Sequence, residues 1–412
     1  MLYEKLLHEQ ALQIVNEITD STVKAKWRTA ASKLRLPYWD WALKTPSGEH
    51  NMPTSIADDT LRITYPNNTV KTIPNPLRKY TFHPLIPSDF AEPGEELYYP
   101  YDKWTSTLRN PTFPDNDVNA RDNKTEMHMI FDEQRDSRAR GVYRVMSQWQ
   151  GWNNFSTAAY TNPRSPLQIG DLETQHGPGH TSFMNGHMGP SAYTAFDPVF
   201  WLHHANVDRY YAIWQAVYPT TWMIRDINSQ QGTFTLDAIN TATDGNTPLT
   251  PFHSDNTGGF WTPNKVRNIS QLGYTYPELQ GNPSNDTIKA RIKANWGNTP
   301  ALPTTFSKRD DGQKTSKDYI TLVTLPPGYA VKVTIGKTDP TLAGVFSTKF
   351  SQIKKATTGI VQLGPALAEK ARSGKLGETD EESVIAYLKK EFTFTVKNNV
   401  SSNLVMCTRV LH

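Results

Sequence analysis

Five of the eleven histidines in this sequence fall between positions 176 and 204. His176 and His180 flank a Gly-Pro-Gly segment, His187 follows, and His203 and His204 are adjacent. Imidazoles are costly to bury without partners, and neutral imidazole nitrogens bind transition metals. With no thiolate or carboxylate ligand beside them, three such nitrogens fit copper or zinc best. The spacing alone leaves a second interpretation open, in which these are hydrogen-bonded histidines of the core.

A long apolar helix is predicted to carry the last two of these histidines. Asp197 is a strong N-cap residue, and Pro198 suits the first helical position, where no backbone N–H is needed. The sequence then runs to Pro219 without a helix breaker. Because it is apolar over much of its circumference, we expect this helix to lie in the protein interior.

The segment that holds the first two histidines argues against a regular helix. Residues four apart share one helix face, which would suit His176 and His180. A helical Pro178, however, would clash with the carbonyl of Thr174. We therefore predict that a helix begins at Pro178 and that His176 lies in the turn before it.

The rest of the first two thirds indicates helices separated by long loops. Residues 2–18 have the apolar spacing of an amphipathic helix, and residues 135–150 also look helical. Residues 34–42 form a dense aromatic segment in which Pro37 disfavours helix before it. Residues 45–130 are rich in Pro, Asn, Asp and Thr, which is typical of loops.

The sequence changes character after about residue 277, where Pro, Asn, Thr and Lys become frequent. Beyond residue 315, alternating apolar and polar residues predict strands, with one helical piece among them. The fold class is therefore α+β multidomain: a mainly α-helical domain with a central helix bundle and long loops, then a β-rich C-terminal domain. The predicted domains are 1–280 and 316–412, joined by a linker at 281–315. The predicted strands are 319–325, 329–335 and 392–396, and the helical piece is 381–390.

The amino-acid composition argues against several classes of binding partner. The 43 Lys and Arg against 40 Asp and Glu give a net charge of +3, without a long basic tract. We therefore expect neither nucleic acid nor a membrane surface as partner. No apolar run approaches the roughly 18 residues of a spanning helix. The single cysteine, Cys407, rules out intrachain disulfides and cysteine-rich zinc sites. The sequence does not predict an oligomeric state.

Several segments resemble one known family, the type-3 copper proteins, which include tyrosinases, catechol oxidases and haemocyanins. Residues 195–209 (AFDPVFWLHHANVDR) are similar to the family's second copper motif over consecutive positions, and this pattern is highly specific. The other matching segments are 173–180 (ETQHGPGH), 186–188 (GHM), 36–42 (LPYWDWA) and 274–278 (YTYPE), in the order typical of fungal tyrosinases.

The resemblance implies that His176, His180 and His204 bind the second copper. In the histidine pair the family's ligand is the second residue, so His203 is implied to be a neighbour of the substrate or of the ligands. Glu173 matches a glutamate that holds an active-site water in the family. The alternative for Glu173 is a solvated acid on a helix face, and His187 is interpreted as structural.

Two further positions qualify the resemblance. Asp208 lies one turn beyond His204 and could orient an imidazole N–H, or pair with Arg209 instead. Family tyrosinases often have Asn directly after the first ligand, whereas this sequence has Gly177. This difference favours oxidation of diphenols over hydroxylation of monophenols.

The family's complete site holds two copper ions with three histidines each, and this sequence supplies ligands for only one. The resemblance places the first copper's ligands upstream of a helix similar to residues 2–4. We therefore expect an N-terminal truncation, which would also remove a signal peptide. Six Asn-x-Ser/Thr sequences favour a secreted glycoprotein. They begin at Asn67, Asn123, Asn154, Asn268, Asn285 and Asn399.

The predicted function is copper-dependent oxidation of o-diphenols to o-quinones with dioxygen, with possible monophenol hydroxylation when the dinuclear site is complete. The partners are then a small phenol and dioxygen. The alternative is a non-catalytic protein, either truncated or a haemocyanin-like copper-binding protein. The Lys308-Arg309 pair is a candidate cleavage site that would release the β-rich domain, or else a solvated charge pair of the linker.

Overall fold

The computed structural model describes most of the 412 residues. Cys407, His412, Asn399 and the Lys308-Arg309 pair lie outside the described residues, so the predictions about them remain predictions. The described ranges are 2–90, 99–157, 170–228, 238–297, 319–325, 329–347, 357–378, 380–398 and 408–411.

Helices dominate the first three quarters of the chain. Asp20, Asn123, Asp171 and Ser284 each accept a hydrogen bond from a first-turn backbone N–H, which fixes where four of these helices begin. The helices are α1 (Leu2–Glu17), α2 (Ser21–Ser32), α3 (Thr54–Ala57), α4 (Lys124–Gln148), α5 (Trp152–Ser156), α6 (Leu172–Thr181), α7 (Val199–Val217), α8 (Pro263–Val266), α9 (Asn285–Ile292), α10 (Gly364–Arg372) and α11 (Glu381–Glu391).

The first hydrophobic core lies between α4, α6, α7 and α9. Phe131 of α4 and Trp214 of α7 are fully buried in it, as is Trp41 from the aromatic segment. Two short antiparallel hairpins lie in the loops around this core: β1 (Thr60–Thr64) with β2 (Val70–Pro74), and β3 (Asp226–Ile227) with β4 (Ala242–Thr243). The predicted helical domain with long loops is confirmed.

A buried ion pair ties the long loops to α7. The Arg109 guanidinium donates to both carboxylate oxygens of Asp197, at 3.0 and 2.7 Å, and both side chains are fully buried. Arg109 also donates to the backbone carbonyls of Ile56 and Leu77. With all its hydrogen bonds made inside the protein, this arginine fixes the loops against the start of α7.

The C-terminal part is β-rich, as predicted, and has its own core. That core contains Val323, Val331 and Val333 from the strands with Leu367 and Val384 from α10 and α11. All described strand pairs here are antiparallel, in two three-stranded sheets with the orders β10-β5-β8 and β7-β6-β9. The strands are β5 (Ile320–Leu325), β6 (Tyr329–Ile335), β7 (Thr341–Ser347), β8 (Thr357–Gln362), β9 (Phe392–Asn398) and β10 (Thr408–Leu411).

Two parts of the sequence interpretation need correction. Residues 285–297, assigned to the linker, form α9 and a following helical turn, and Ile288, Ile292 and Trp296 are buried in the first core. Their apolar spacing of four outweighs the polar residues between them. Helix α4 begins at Lys124, well before the predicted residue 135, because Asn123 caps it.

The second sheet lies against the helical part of the chain. Strand β7 contacts both α6 and α4, and α10 also contacts α4. Helix α6 carries two of the predicted metal ligands, so this part of the sheet lies next to the candidate site. Among the described helices, none has the length and apolar character that crossing a membrane demands.

Candidate metal centre

Helix α6 positions His176 and His180 on one face. Asp171 caps it, and its carboxylate accepts hydrogen bonds from both the backbone N–H and the hydroxyl of Thr174, at 2.7 and 2.9 Å. The helix is continuous through Pro178. The prediction that a helix begins at Pro178 is therefore wrong. The cap at Asp171 starts the helix six residues before the proline, and a spacing of four then brings both imidazoles to the same side.

Helix α7 positions His203 and His204. Asp197 accepts a hydrogen bond from the backbone N–H of Val199 at 3.0 Å, but the residue directly before the helix is Pro198, so the predicted cap at Asp197 is displaced by one residue. The helix begins at Val199, directly after Pro198. Its buried face includes His203, whereas His204 is partly exposed. The prediction of a long interior helix is confirmed.

The four histidines from the two helices converge. Nε2 of His180 lies 2.8 Å from Nε2 of His176 and 3.2 Å from Nε2 of His204. One ring nitrogen from each of His176, His180, His203 and His204 can be chosen so that all four lie within 4.8 Å of one another. Imidazole nitrogens arranged tetrahedrally about 2.0 Å from one ion would be about 3.3 Å apart. The observed distances are close to that value.

Hydrogen bonds determine which nitrogens can accept a metal. Nδ1 of His176 lies 3.2 Å from the Glu173 carbonyl, and Nδ1 of His180 lies 3.0 Å from the Met188 carbonyl. Since a carbonyl only accepts, both Nδ1 atoms carry the proton, and each neutral ring has a lone pair on Nε2. The two Nε2 lone pairs therefore oppose each other at 2.8 Å. A cation between them would relieve this repulsion, so the donor set fits a metal.

Burial keeps these rings neutral. It lowers the pKa of His176, and it lowers the pKa of His180 well below the usual range, with His176 and His204 adding to the effect. The pKa of His204 falls to about 3, through burial and the neighbouring His176. Protons therefore compete weakly for these nitrogens at neutral pH.

His203 differs from the other three histidines. It is fully buried, and its Nδ1 lies 2.9 Å from the indole nitrogen of Trp41. Gly179 passes so close to this ring that an added Cβ would overlap it. The aromatic segment 36–42 thus reaches the site directly, which the sequence did not reveal.

Comparison with known proteins identifies the family. The family model described as the common central domain of tyrosinase matches residues 1–217, more than half of the chain. The chain belongs to the tyrosinase family. A tyrosinase of Neurospora crassa is 31% identical over 281 residues, covering 68% of this chain and 39% of that protein. Polyphenol oxidase 4 of Agaricus bisporus is 31% identical over 319 residues, covering 73% and 48%.

Solved tyrosinase structures share this fold. Recombinant mushroom tyrosinase aligns with 99% of this chain and 77% of its own, with a TM-score of 0.75 and 24% identity. A variant of Aspergillus oryzae pro-tyrosinase gives a TM-score of 0.71 at 18% identity. The chain spans less than half the length of the two relatives named above. The resemblance seen in the motifs is therefore confirmed at the level of family and fold.

The tyrosinase motif segments meet at a second buried cluster that sequence reasoning missed. Arg209 of α7 binds Asp40 of the aromatic segment at 2.8 Å and Glu278 of the YTYPE segment at 2.5 Å. Burial alone would lower the pKa of Arg209, but these two carboxylates raise it above its ordinary value. The sequence did contain a signal for this cluster, because each of two aromatic motifs includes an acidic residue: Asp40 in segment 36–42 and Glu278 in segment 274–278.

Two predicted roles are not visible in these contacts. The Asp208 side chain is exposed and makes no hydrogen bond in the described part of the chain, so it neither orients an imidazole nor pairs with Arg209. Glu173 is exposed in the first turn of α6, where its carboxylate accepts from the Thr157 hydroxyl at 3.0 Å. Its role in holding a water stays a prediction.

The remaining described histidines lie outside the cluster. His187 is fully buried, accepts from the backbone N–H of Leu108 at 3.0 Å, and packs against Tyr101 and Trp104. These contacts agree with a structural role. His50 binds Asp132 at 2.6 Å. His83 contacts the backbone carbonyl of Thr81, and His253 stacks on Phe260.

Proposed function

We propose that this chain belongs to a copper-dependent oxidase of o-diphenols, in which His176, His180 and His204 bind one copper ion. The observation that supports this most directly is the approach of the three Nε2 atoms, 2.8 and 3.2 Å apart, with two of the rings held by backbone carbonyls. Neutral imidazoles favour copper or zinc, and copper binds nitrogen ligands more tightly among the divalent ions. Membership of the tyrosinase family supports copper.

The chain's own residues prepare the site before any ion binds. The carbonyls of Glu173 and Met188 fix two rings with Nε2 towards the centre. The Phe200 ring packs 4.3 Å from that of His204 and excludes water from one side. Burial then lowers the histidine pKa values, so the lone pairs are available at neutral pH. Copper, when bound, would supply Lewis acidity and a one-electron acceptor.

The proposed reaction converts two o-diphenols and one dioxygen into two o-quinones and two waters. Each diphenol loses two electrons and two protons, and dioxygen takes up all four of each. Gly177 in place of the asparagine of many family members supports diphenol oxidation as the main activity. Family chemistry uses two coppers, and the described residues bring together one group of suitable side chains. Turnover therefore depends on three further ligands, and a copper-binding protein without turnover is the alternative.

We also propose that the protein is secreted and that the β-rich part forms a separate domain. Asn67 and Asn268 are exposed acceptor sites whose carbonyl oxygens make the local turn bonds. That arrangement leaves the nitrogen of each side chain for a glycan. A mass measurement before and after enzymatic deglycosylation tests this, and an unchanged mass would contradict it.

The copper proposal is tested by titrating metal-free protein with copper. We expect one ion per chain at this site, and His180→Gln should weaken binding more than 100-fold, since His180 lies between the other two ligands. His253→Gln, an exposed histidine outside the cluster, is the matched control and should bind as the unmodified chain does. Equal binding by both variants would sink the proposal.

The two candidate functions are distinguished in copper-loaded protein that also supplies the three further ligands, because turnover requires both copper sites. Quinone formation from a catechol, measured by absorbance together with oxygen uptake, supports the oxidase. Tight copper binding without quinone formation favours the non-catalytic alternative. If only zinc is retained when both metals compete, neither copper function holds.

A further inference from the structure

We propose that His203 is a hydrogen-bond donor to an oxygen atom of the phenol bound beside the ion, and that Trp41 enforces this role by fixing its tautomer. This inference rests on the proposed function, because it assigns a role to a residue next to the proposed copper ligands. It distinguishes His203 from the three histidines with which it shares the cluster, and it gives the aromatic segment 36–42 a part in substrate binding.

The contact between Trp41 and His203 fixes the direction of the bond. The indole Nε1 lies 2.9 Å from Nδ1 of His203, and both side chains are fully buried. An indole nitrogen only donates, so Nδ1 of His203 must accept and cannot carry a proton. A neutral imidazole has one proton on its two nitrogens, which leaves it on Nε2. His176 and His180 have the opposite arrangement.

Nε2 of His203 then presents an N–H where the other rings present lone pairs. It is buried and has no hydrogen-bond partner among the described residues. Buried donors are nearly always paired in folded proteins, and leaving one unpaired is costly. The ring lies against the cluster, with its centroid 4.7 Å from that of His180 and 5.2 Å from that of His176. An oxygen atom bound at the centre would satisfy this donor.

The alternative, in which His203 is a fourth ligand, carries a defined cost. Binding metal through Nε2 would require the proton to move to Nδ1, where it would oppose the indole N–H of Trp41. Two donors would then face each other at 2.9 Å. The ring is also unable to turn away easily, because the backbone at Gly179 lies directly against it.

The tautomer is measured first, in metal-free protein labelled with nitrogen-15 in its histidines. We expect the nitrogen NMR signals of His203 to report a protonated Nε2 and a bare Nδ1, with His203→Gln identifying the signals by their loss. Trp41→Phe removes the donor and should shift His203 towards the other tautomer. A protonated Nδ1 in the unmodified chain would overturn the inference, whether or not any metal binds.

Substrate binding is measured next, in zinc-loaded protein, where catechol binds without being oxidised. His203→Leu should weaken catechol binding about tenfold while changing zinc affinity less than about threefold. His203→Gln retains an N–H donor and should recover part of the loss, which a purely structural role would not explain. His253→Gln is the control. A large loss of zinc affinity in His203→Leu would make His203 a ligand and refute the donor role.

The two proposals fail in different ways. If the unmodified chain binds neither zinc nor copper, the metal site itself is wrong. If metal binds normally but catechol affinity is the same with leucine at position 203, only the donor role of His203 is wrong.

Discussion

Helix α7 buries polar side chains at two places, and the two differ in how those side chains are satisfied. Near its start, His203 and His204 join two other histidines whose nitrogens oppose one another without a proton between them. Five residues beyond His204, Arg209 lies between two carboxylates that neutralise it. The same helix therefore carries an incomplete polar cluster and a complete one.

The difference separates a binding site from a structural site. The carboxylates around Arg209 also accept from Tyr210, Trp296 and Asn295, so each of the three charged groups in that cluster has partners inside the protein. The histidine cluster instead has Nε2 atoms that only an added ion or ligand can satisfy. Both are costly to bury, but only the second needs something from outside the chain.

The largest expected effect comes from breaking the complete cluster. Arg209→Met leaves Asp40 and Glu278 buried without their cation, and we expect a loss of about 3–5 kcal/mol in the free energy of unfolding. Urea unfolding of the metal-free protein measures it. The control, Lys5→Met, removes one partner of the exposed Lys5–Glu9 pair and should cost no more than about 0.5 kcal/mol. If both variants lost the same free energy of unfolding, the Arg209 cluster would not be a structural site.

Acid should affect the histidine cluster before the charged one. The folded-state pKa of His204 is about 3, below the ordinary 6.5, so the unfolded chain binds more protons below pH 6.5. Stability of the metal-free protein should therefore fall as the pH drops from 6.5 to 5, by at most about 2 kcal/mol for each such histidine. Glu278, whose pKa is lowered from 4.5, should contribute a loss only below that pH. His204→Gln should reduce the loss of stability between pH 6.5 and 5. If stability falls as steeply in this variant as in the unmodified chain, His204 is not one of the groups responsible.

A smaller effect is expected where α6 approaches His203. Gly179→Ala places a methyl group against the His203 ring, and the overlap should cost about 1–3 kcal/mol. Gly177→Ala is a matched control in the same helix, because its new methyl meets no heavy atom within 4 Å. Alanine there should stabilise by about 0.5–1 kcal/mol. Thermal unfolding of both variants measures the difference in stability. If Gly179→Ala were the more stable of the two, the close contact between Gly179 and the His203 ring would be wrong.

The smallest effect on stability should accompany the loss of a proposed ligand. His204→Gln should change the unfolding free energy of the metal-free protein by less than about 1 kcal/mol, since no hydrogen bond from the described residues holds its Nδ1. The same variant should lose the stabilisation that copper gives, about 2.7 kcal/mol at a free concentration 100 times the dissociation constant. A large loss without metal would instead mark His204 as structural.

Much of the fold could be predicted because local patterns and tertiary packing agree. The long apolar run of α7 and the alternating strands of the C-terminal part were both recognisable. Residues 285–297 were not, since Ile288, Ile292 and Trp296 are sparse among polar neighbours, and only contact with α4 and α7 reveals their burial. Helix α6 was misjudged because a rule about one proline outweighed the cap at Asp171.

For the candidate site, the sequence predicted which histidines meet but not what each of them does. The resemblance indicated three ligand histidines with His203 beside them, and the structure brings these four rings together. The proton positions depend on partners far away in sequence, such as Trp41, which lies 162 residues before His203. The partners of Arg209 are likewise distant, so local spacing pointed to Asp208, its neighbour in sequence, instead.

Pro178 has a mechanical consequence for the ligands on either side of it. Because proline has no backbone N–H, one hydrogen bond of the helix is missing between the turn of His176 and the turn of His180. An ion entering between their nitrogens would have to widen a gap of 2.8 Å to about 3.3 Å. The missing hydrogen bond lies at the point where this widening would occur, so Pro178 leaves the backbone between the two histidines less constrained than a regular helix would.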